Sequence, residues 1–222
     1  MPAPISVIIP TLNAAGVLQA CLEALMEGVD AGLLAEVVVS DGGSTDDTLR
    51  LADAWGANIV TGAASRGGQL RRGCDAARGE WYLVLHADTV LSPGWTDAVI
   101  AHLGQANAGY FRLAFDRGGR CVAGWANLRS RWFGLPYGDQ GLLVRRNLYA
   151  QVGGYPDIPL MEDVSIARAL RGRLTRLDGV AVTRADKYRA QGWMTRGTRN
   201  LWTLLRYFAG VSPERLAAEY RR

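Results

Sequence analysis

Four short runs of apolar, often β-branched residues alternate with helical patterns in the first half of the chain. This alternation constrains the fold more than any other feature. The runs cover residues 5–10, 36–40, 58–61 and 81–85, and helical patterns such as residues 66–77 separate them. Strands that are apolar on both sides and separated by helices are typical of a parallel sheet with right-handed crossovers. The sequence therefore predicts an α/β fold whose first half is Rossmann-like, with helices on both faces of the sheet.

The pattern is looser after Pro93. Residues 110–115 alternate like a half-exposed strand, and residues 141–144 form another short apolar run. The Gly-Gly pairs at 118–119 and 153–154 are typical of turns rather than of linkers. We therefore expect a mixed, mostly parallel sheet within a single domain that covers residues 1–222.

The charge balance favours an anionic partner. The chain of 222 residues has a formal net charge of +4 and an isoelectric point near 9.2, and much of the arginine lies after residue 112. The arginines are dispersed, and no helix-turn-helix, zinc-finger or RNP-like pattern organises them. We therefore expect a diphosphate or an anionic membrane face as the partner, and no nucleic acid.

The cysteines and the N-terminus bear on the cell compartment. Cys21, Cys74 and Cys121 are odd in number and form no CxxC pair, so we expect three reduced core residues. The N-terminal residues lack the pattern of a signal peptide, and the chain has no run of about 18 apolar residues. These features predict a cytoplasmic protein.

An amphipathic helix is predicted over residues 193–209. Leu201, Leu204, Leu205 and Phe208 fall on one face, and Arg199 and Arg206 share another. Two interpretations stay open: the apolar face packs on the protein's own core, or it makes a peripheral contact with the inner face of the membrane. The sequence does not predict the oligomeric state.

Polar side chains follow three of the predicted strands. Thr11 and Asn13 follow the first strand, Asp41 follows the second, and His86 and Asp88 follow the fourth. In open α/β sheets ligands bind beyond the carboxyl ends of the strands. We therefore expect these side chains to surround one ligand pocket.

The residue types suggest roles within that pocket. Asp41 could accept the N3–H of a uracil-like ring, or it could only shape a turn. Asp88 could hold Mg²⁺ or Mn²⁺ against a diphosphate, because these hard cations prefer oxygen ligands, or it could be a turn residue. His86 could ligate the same cation or only pack.

An acidic pair, Glu162–Asp163, begins a predicted helix. Acidic side chains also favour helix N-termini, so capping is one interpretation. A carboxylate near an acceptor hydroxyl could instead take its proton during a displacement reaction, and Asp163 is our candidate for that base.

Two other sets of residues could act on the acceptor or diphosphate side. Asp139 and Gln140 could hydrogen-bond sugar or acceptor hydroxyls, or form a plain turn. Lys187, Arg189 and Arg196 could close over a diphosphate, or form a solvated basic face.

Five motifs in order resemble the family-2 glycosyltransferases of the GT-A fold. They are ISVIIPTLN, VVVSDGGSTDDT, SRGGQLRRG, YLVLHADT and the pair Glu162–Asp163, and they span the chain from Ile5 to about Leu170. GDQGLLVRR, LMEDV and GVSPERLAAEY further resemble a small bacterial subgroup associated with arsenosugar biosynthesis.

The resemblance implies an inverting, metal-dependent transfer of a sugar from a nucleotide-diphosphate sugar, with UDP favoured, to an acceptor hydroxyl. It implies a nucleotide-binding half at residues 1–105, an acceptor half at 106–190 and a C-terminal helical segment at 191–222. The implied donor-binding residues are Pro10, Thr11, Asn13, Asp41, Arg66 and Asp88. Asp88 would bind the metal, and Asp163, beside Glu162, would be catalytic.

One departure from the family pattern opens an alternative. The family's metal motif is commonly Asp-x-Asp, and His86 stands at its first position here. This favours, as an alternative, a non-catalytic nucleotide-sugar binding protein. A sugar nucleotidyltransferase is a further alternative, because that class shares the sheet architecture and the metal-bound diphosphate chemistry. The latter class usually has a glycine-rich basic loop where this chain has residues 10–13.

Overall fold

The computed structural model describes residues 3–220, except for the side chain of Lys187. The strands are β1 (Ile5–Thr11), β2 (Leu34–Asp41), β3 (Asn58–Thr61), β4 (Trp81–Val84), β5 (Thr89–Leu91), β6 (Ala108–Phe115), β7 (Leu142–Arg145) and β8 (Leu174–Thr183). The helices are α1 (Ala15–Asp30), α2 (Thr48–Ala54), α3 (Arg66–Ala76), α4 (Trp95–Ile100), α5 (Arg120–Phe133), α6 (Arg146–Gln151), α7 (Glu162–Ala169), α8 (Asp186–Gln191), α9 (Trp193–Phe208) and α10 (Pro213–Tyr220). A short 3₁₀ turn, Gly138–Gln140, precedes β7.

The strands form a mixed sheet in the order β3-β2-β1-β4-β7-β6-β8-β5. The first four are parallel to one another, β7 is antiparallel to both of its neighbours, β8 is parallel to β6, and β5 is antiparallel to β8. This confirms the predicted α/β class and its mixed, mostly parallel sheet. Strands from before and after residue 105 join the same sheet.

Two hydrophobic layers cover the faces of the sheet. Val7 and Ile9 pack in the layer that contains α1 and α4, whereas Ile8 packs in the layer that contains α3 and α6. Neighbouring side chains of a strand point to opposite faces, so a central strand flanked by helices is apolar at most positions. This explains why the buried runs were readable in the sequence. Ser6 on β1 is a buried exception, and its hydroxyl donates a hydrogen bond to Glu36.

The cysteine prediction was wrong for one residue. Cys21 and Cys74 are buried, but Cys121 is exposed. It lies on α5 one turn before Trp125, which is also exposed, so this side of the helix faces away from the core.

The predicted amphipathic helix is α9, and only part of its apolar face is buried. Leu204 packs in a small cluster with Met161, Val164 and Leu216. Leu201, Leu205 and Phe208 remain exposed. Packing on the protein's own core therefore accounts for one of the four apolar residues predicted to share that face.

Across residues 3–220, no helix has the length and apolar character needed to cross a membrane.

Candidate active site

The carboxyl ends of β1 and β4 open onto a cleft of about 570 Å³. This size is typical of small-molecule binding sites. Six of the residues singled out in the sequence line it: Pro10, Thr11, Asn13, Arg66, His86 and Asp88. The parallel topology brings them together, because neighbouring parallel strands end at the same edge of the sheet.

Asp41 lies beneath this cleft and is fully buried. Its Oδ2 atom accepts hydrogen bonds from the backbone N–H groups of Gly43 and Ser44, both at 2.7 Å. Its Oδ1 atom accepts from the hydroxyls of Thr11, at 2.8 Å, and of Ser44, at 2.5 Å. Burial alone would raise the pKa of Asp41, but these hydrogen bonds outweigh it and lower the pKa. In this structure the carboxylate organises the loop after β2. Its two oxygens already accept four hydrogen bonds, so neither is left to accept one from a ligand.

The loops after β1 and β2 are tied to each other. The Asn13 side chain accepts a hydrogen bond from the backbone N–H of Thr45 at 2.8 Å, and the Asn13 N–H donates to the Ser44 hydroxyl at 2.8 Å. Asn13 has a φ of +50°, a left-handed conformation that asparagine tolerates better than most residues. These contacts give the rim of the cleft a defined shape.

Gln69 is a cleft residue that sequence reasoning missed. It lies on α3 and is buried, and its amide donates to the carbonyl oxygens of Thr11 at 2.7 Å and Ser40 at 3.1 Å. It therefore fixes the ends of β1 and β2 relative to α3. Its motif, SRGGQLRRG, was visible in the sequence, but nothing in the motif indicated which polar side chain points inward.

Arg66 connects the cleft to the acidic pair. Its Nε atom lies 3.2 Å from Glu162 Oε1. One of its terminal nitrogens lies 2.9 Å from Nε2 and 3.1 Å from Nδ1 of His86. A guanidinium is always protonated, so a permanent cation lies beside this imidazole. This positive charge disfavours the binding of a metal cation by the His86 imidazole.

A smaller chamber of about 140 Å³ adjoins the cleft. Arg66, His86 and Asp88 line both spaces, and Asp139 and Asp163 line the chamber. The structure thus brings together Asp88, from the turn between β4 and β5, and Asp163, from the first turn of α7. Within residues 3–220 no cluster of three or more His, Cys, Asp or Glu residues could hold a metal ion by itself.

The backbone around Asp163 holds its carboxylate in place. Oδ2 accepts from the Gly138 N–H at 3.0 Å, and Oδ1 accepts from the Val164 N–H at 2.7 Å. Met161, which precedes α7, has a φ of +68°. A non-glycine residue in this region is strained, and such strain is found most often at functional sites.

Glu162 is almost completely buried, and its side chain is only 1% exposed. The ion pair with Arg66 lacks hydrogen-bond geometry, so neither carboxylate oxygen accepts a hydrogen bond within the described structure. Burial, followed by the charge of Asp163, raises the pKa of Glu162, whereas Arg66 opposes the shift. Glu162 is therefore placed to hold Arg66 rather than to meet a ligand in the main cleft.

The two residues predicted on the acceptor side have different environments. Asp139 is half-buried as a residue, but its Oδ1 atom is fully buried and accepts no hydrogen bond in the described structure. Burial raises the pKa of Asp139 to about 6, Arg129 opposes the shift and Asp163 adds to it. Gln140 is fully buried; its Oε1 atom accepts a hydrogen bond from the Ser130 hydroxyl at 2.5 Å, and its NH₂ group donates to the Phe111 carbonyl oxygen at 3.1 Å. Gln140 therefore braces the 3₁₀ turn from inside the protein.

The three basic residues predicted on the diphosphate side, Lys187, Arg189 and Arg196, do not lie together in the described structure. Arg196 lines the smaller chamber and donates to the Tyr220 hydroxyl at 3.2 Å. Arg189 is exposed on α8, and the side chain of Lys187 lies outside the described residues. Asn200 and Tyr220 line the chamber as well and bond to each other at 2.8 Å. Sequence reasoning missed both, although Tyr220 ends the motif GVSPERLAAEY.

Comparison with known proteins assigns the chain to a family. The model of the family "Glycosyl transferase family 2" matches residues 6–155. A PGL/p-HBAD biosynthesis glycosyltransferase of Mycobacterium tuberculosis is 34% identical over 167 residues, covering 70% of this chain and 64% of that relative. This chain therefore spans less than two thirds of the length of the curated relatives it matches.

Solved structures show the same fold. The Staphylococcus aureus protein TarS, residues 1–349 in complex with UDP-GlcNAc, superposes with a TM-score of 0.63 at 18% identity, covering 82% of this chain and 59% of that one. Glucosyl-3-phosphoglycerate synthase from M. tuberculosis, in complex with Mn²⁺ and UDP-glucose, gives 0.57 at 21% identity and covers 82% and 69%. The expected GT-A architecture is confirmed. The narrower resemblance to the arsenosugar-associated subgroup stays a prediction.

Proposed function

Because the chain belongs to glycosyl transferase family 2, we propose that it transfers a sugar from a UDP-sugar to an acceptor hydroxyl, with inversion and with the help of Mg²⁺ or Mn²⁺. The observation that carries this proposal is the chamber that Asp88 and Asp163 share, which adjoins the cleft. A donor lying along the cleft would then have its diphosphate near Asp88 and its sugar near Asp163.

The donor side is formed mostly by residues before position 105. Pro10, Thr11 and Asn13 would line the nucleotide pocket, and Arg66 would face the diphosphate. TarS was crystallised with UDP-GlcNAc and the mycobacterial synthase with UDP-glucose, which supports a uridine nucleotide here. Asp41 would act by shaping this pocket, because its oxygens already accept four hydrogen bonds.

The residues present fit one divalent cation held largely by the substrate. Mg²⁺ and Mn²⁺ need few protein carboxylates when phosphate oxygens complete their coordination, so Asp88 alone is a sufficient protein ligand. The mycobacterial synthase, which was solved with Mn²⁺, supports the same metal class. When bound, the ion would offset negative charge on the departing diphosphate.

The acceptor hydroxyl would attack the anomeric carbon from the face opposite the diphosphate. As the new C–O bond forms, the bond to the β-phosphate oxygen breaks, and the hydroxyl proton passes to Asp163. Arg66 would contribute positive charge beside the leaving group. The hydrogen bonds from Gly138 and Val164 hold the Asp163 carboxylate in one orientation before the substrates arrive.

Replacing Asp163 by asparagine tests this assignment. The amide would keep the size of the side chain but could not accept the proton, so we expect turnover to fall by about 10²–10⁴-fold. UDP affinity, measured by calorimetry, should change little. Asp53→Asn, an exposed position on α2, is the matched control. Full activity in Asp163→Asn would contradict the proposed base.

A non-catalytic nucleotide-sugar binding protein remains the second candidate, because Arg66 lies against His86 at the family's metal motif. Metal-dependent hydrolysis of the donor distinguishes the two. An active transferase releases UDP slowly in the presence of Mn²⁺ and without acceptor, whereas a binding protein does not. A thermal-shift screen of nucleotide sugars with and without Mn²⁺ would first identify the donor.

A further inference from the structure

Helices α5 and α9 expose a set of large apolar side chains that the proposed reaction does not use. We call it the aromatic surface, and its main members are Trp125, Trp132, Phe133, Leu201, Trp202 and Leu205. Trp132 is 67% exposed and Trp202 is 62% exposed. Scattered apolar residues on a surface are normal, but a concentration of tryptophans marks an interaction site.

The exposed side chains form stripes rather than a random scatter. Trp125 and Trp132 are two turns apart on α5, and Leu201 and Leu205 are about one turn apart on α9, so each pair faces one way. The two helices adjoin, because Trp125 and Leu201 line the same small cavity of about 70 Å³. The stripes therefore belong to neighbouring parts of the molecular surface.

The charge of these helices indicates what the surface meets. Neither helix carries an acidic residue, and each carries three arginines. Arg129 is buried and Arg206 pairs with Glu219 on α10, so the exposed positive charge lies mainly on α5. Arg120 and Arg131 on α5 are exposed. Helices that combine tryptophan and arginine in this way bind the interface of anionic bilayers. A second copy of the chain fits less well, because a symmetric contact would place these arginines against one another.

The aromatic surface is also connected to the acceptor side of the site. The cavity lined by Trp125 and Leu201 is lined by Tyr137 and Asp139 too, and both of these residues line the chamber that contains Asp163. The polar end of an amphiphile that lies against this surface is therefore close to the carboxylates of the chamber.

We propose that the aromatic surface docks on an anionic lipid bilayer. This inference rests on the proposed function. The acceptor is then a hydroxyl-bearing amphiphile that the bilayer presents to Asp163. The apolar part of this acceptor stays with the lipid, and only its hydroxyl enters the chamber.

Co-sedimentation of the full chain with vesicles tests the docking. We expect binding to phosphatidylcholine vesicles that contain phosphatidylglycerol, weaker binding to pure phosphatidylcholine, and a decrease with added salt. The double variant Trp132→Ser/Trp202→Ser should lower the partition coefficient roughly tenfold or more. Both positions are exposed, so folding should persist, and circular dichroism verifies it. Trp55→Ser, an exposed tryptophan beside α2, is the matched control and should bind like the wild type.

Three results would overturn the docking: no sedimentation with anionic vesicles, full binding by the double variant, or a dimer in ultracentrifugation that the double variant abolishes. The last would show that a second copy covers the surface. A thermal shift with UDP and Mn²⁺ on the same samples keeps the two proposals apart. Vesicle binding without a UDP response contradicts the donor chemistry alone, and a UDP response without vesicle binding contradicts the docking alone.

Discussion

Replacing Asp41 by asparagine distinguishes a residue that shapes the pocket from one that contacts the nucleotide base. The carboxylate accepts two backbone N–H bonds through Oδ2 and two hydroxyl bonds through Oδ1. An asparagine could turn its carbonyl oxygen toward the two N–H groups and its NH₂ group toward the hydroxyls of Thr11 and Ser44. Those hydroxyls would have to become acceptors, and all four bonds would lose their charge.

The size of the effect follows from the difference between charged and neutral hydrogen bonds. Bonds to a charged group contribute about 1 kcal/mol more than neutral ones, so weakening two to four of them lowers the free energy of unfolding by roughly 2–4 kcal/mol. For a chain of this length the midpoint of thermal unfolding should then fall by on the order of 10 °C. Asp47→Asn, an exposed carboxylate in the same loop, should leave the midpoint unchanged.

The pH dependence gives a second check on Asp41→Asn. The hydrogen bonds lower the pKa of Asp41 in the folded state, so its contribution to stability is fully present above the unfolded pKa of about 3.9. It is lost as the pH falls through the folded pKa. The gap between the wild type and the variant should therefore be constant near neutrality and close only in acid.

The assay is thermal unfolding of both proteins from neutral to acid pH, with UDP affinity measured well below the midpoint. If the midpoint of Asp41→Asn equals that of the wild type while uridine selectivity is lost, Asp41 contacts the base directly. That result would refute the reasoning from saturated hydrogen bonds.

Three further predictions concern the acidic side of the site and its support. Gly67→Ala should lower the free energy of unfolding, measured by chemical denaturation, by about 1–3 kcal/mol, because a Cβ there would overlap the carbonyl oxygen of Pro156. Its control is Gly16→Ala in the open first turn of α1, which should be neutral or stabilising. At pH values above 6, Asp139→Asn should raise the midpoint temperature of unfolding, because burial raises the pKa of Asp139 to about 6 and penalises its ionised form. Below about pH 4 the variant should unfold at the same temperature as the wild type. An equal effect in both pH ranges would contradict this. At pH 8, Glu162→Gln should keep or raise the midpoint temperature of unfolding, since a buried charge is removed. Turnover should fall, because Arg66 loses its ion pair. Unchanged turnover would show that the pair does not position Arg66.

The alternation of strands and helices was readable because it depends on local periodicity. A central parallel strand is buried on both faces, so β1, β2 and β4 show as continuous apolar runs. The strand β8 was not predicted, because it mixes polar and apolar residues and lies near the edge of the sheet. The helix α5 was also missed, since the residue before its start is Gly119 and no Ser, Thr, Asp or Asn caps it. The helix α10 falls within the predicted C-terminal helical segment, and it begins after Ser212, whose hydroxyl accepts a hydrogen bond from the Arg215 N–H.

The sequence by itself determined the fold class, the family and the side chains that follow the strands, because strand ends and short motifs are local features. Only the tertiary structure decided how each side chain is used. It saturated Asp41 with hydrogen bonds, buried Gln140, and brought Asn200 and Tyr220 to a chamber built largely by earlier parts of the chain. It also left most of the apolar face of α9 exposed. Hydrogen-bond saturation and exposure depend on residues far away in the chain, so no local pattern can encode them.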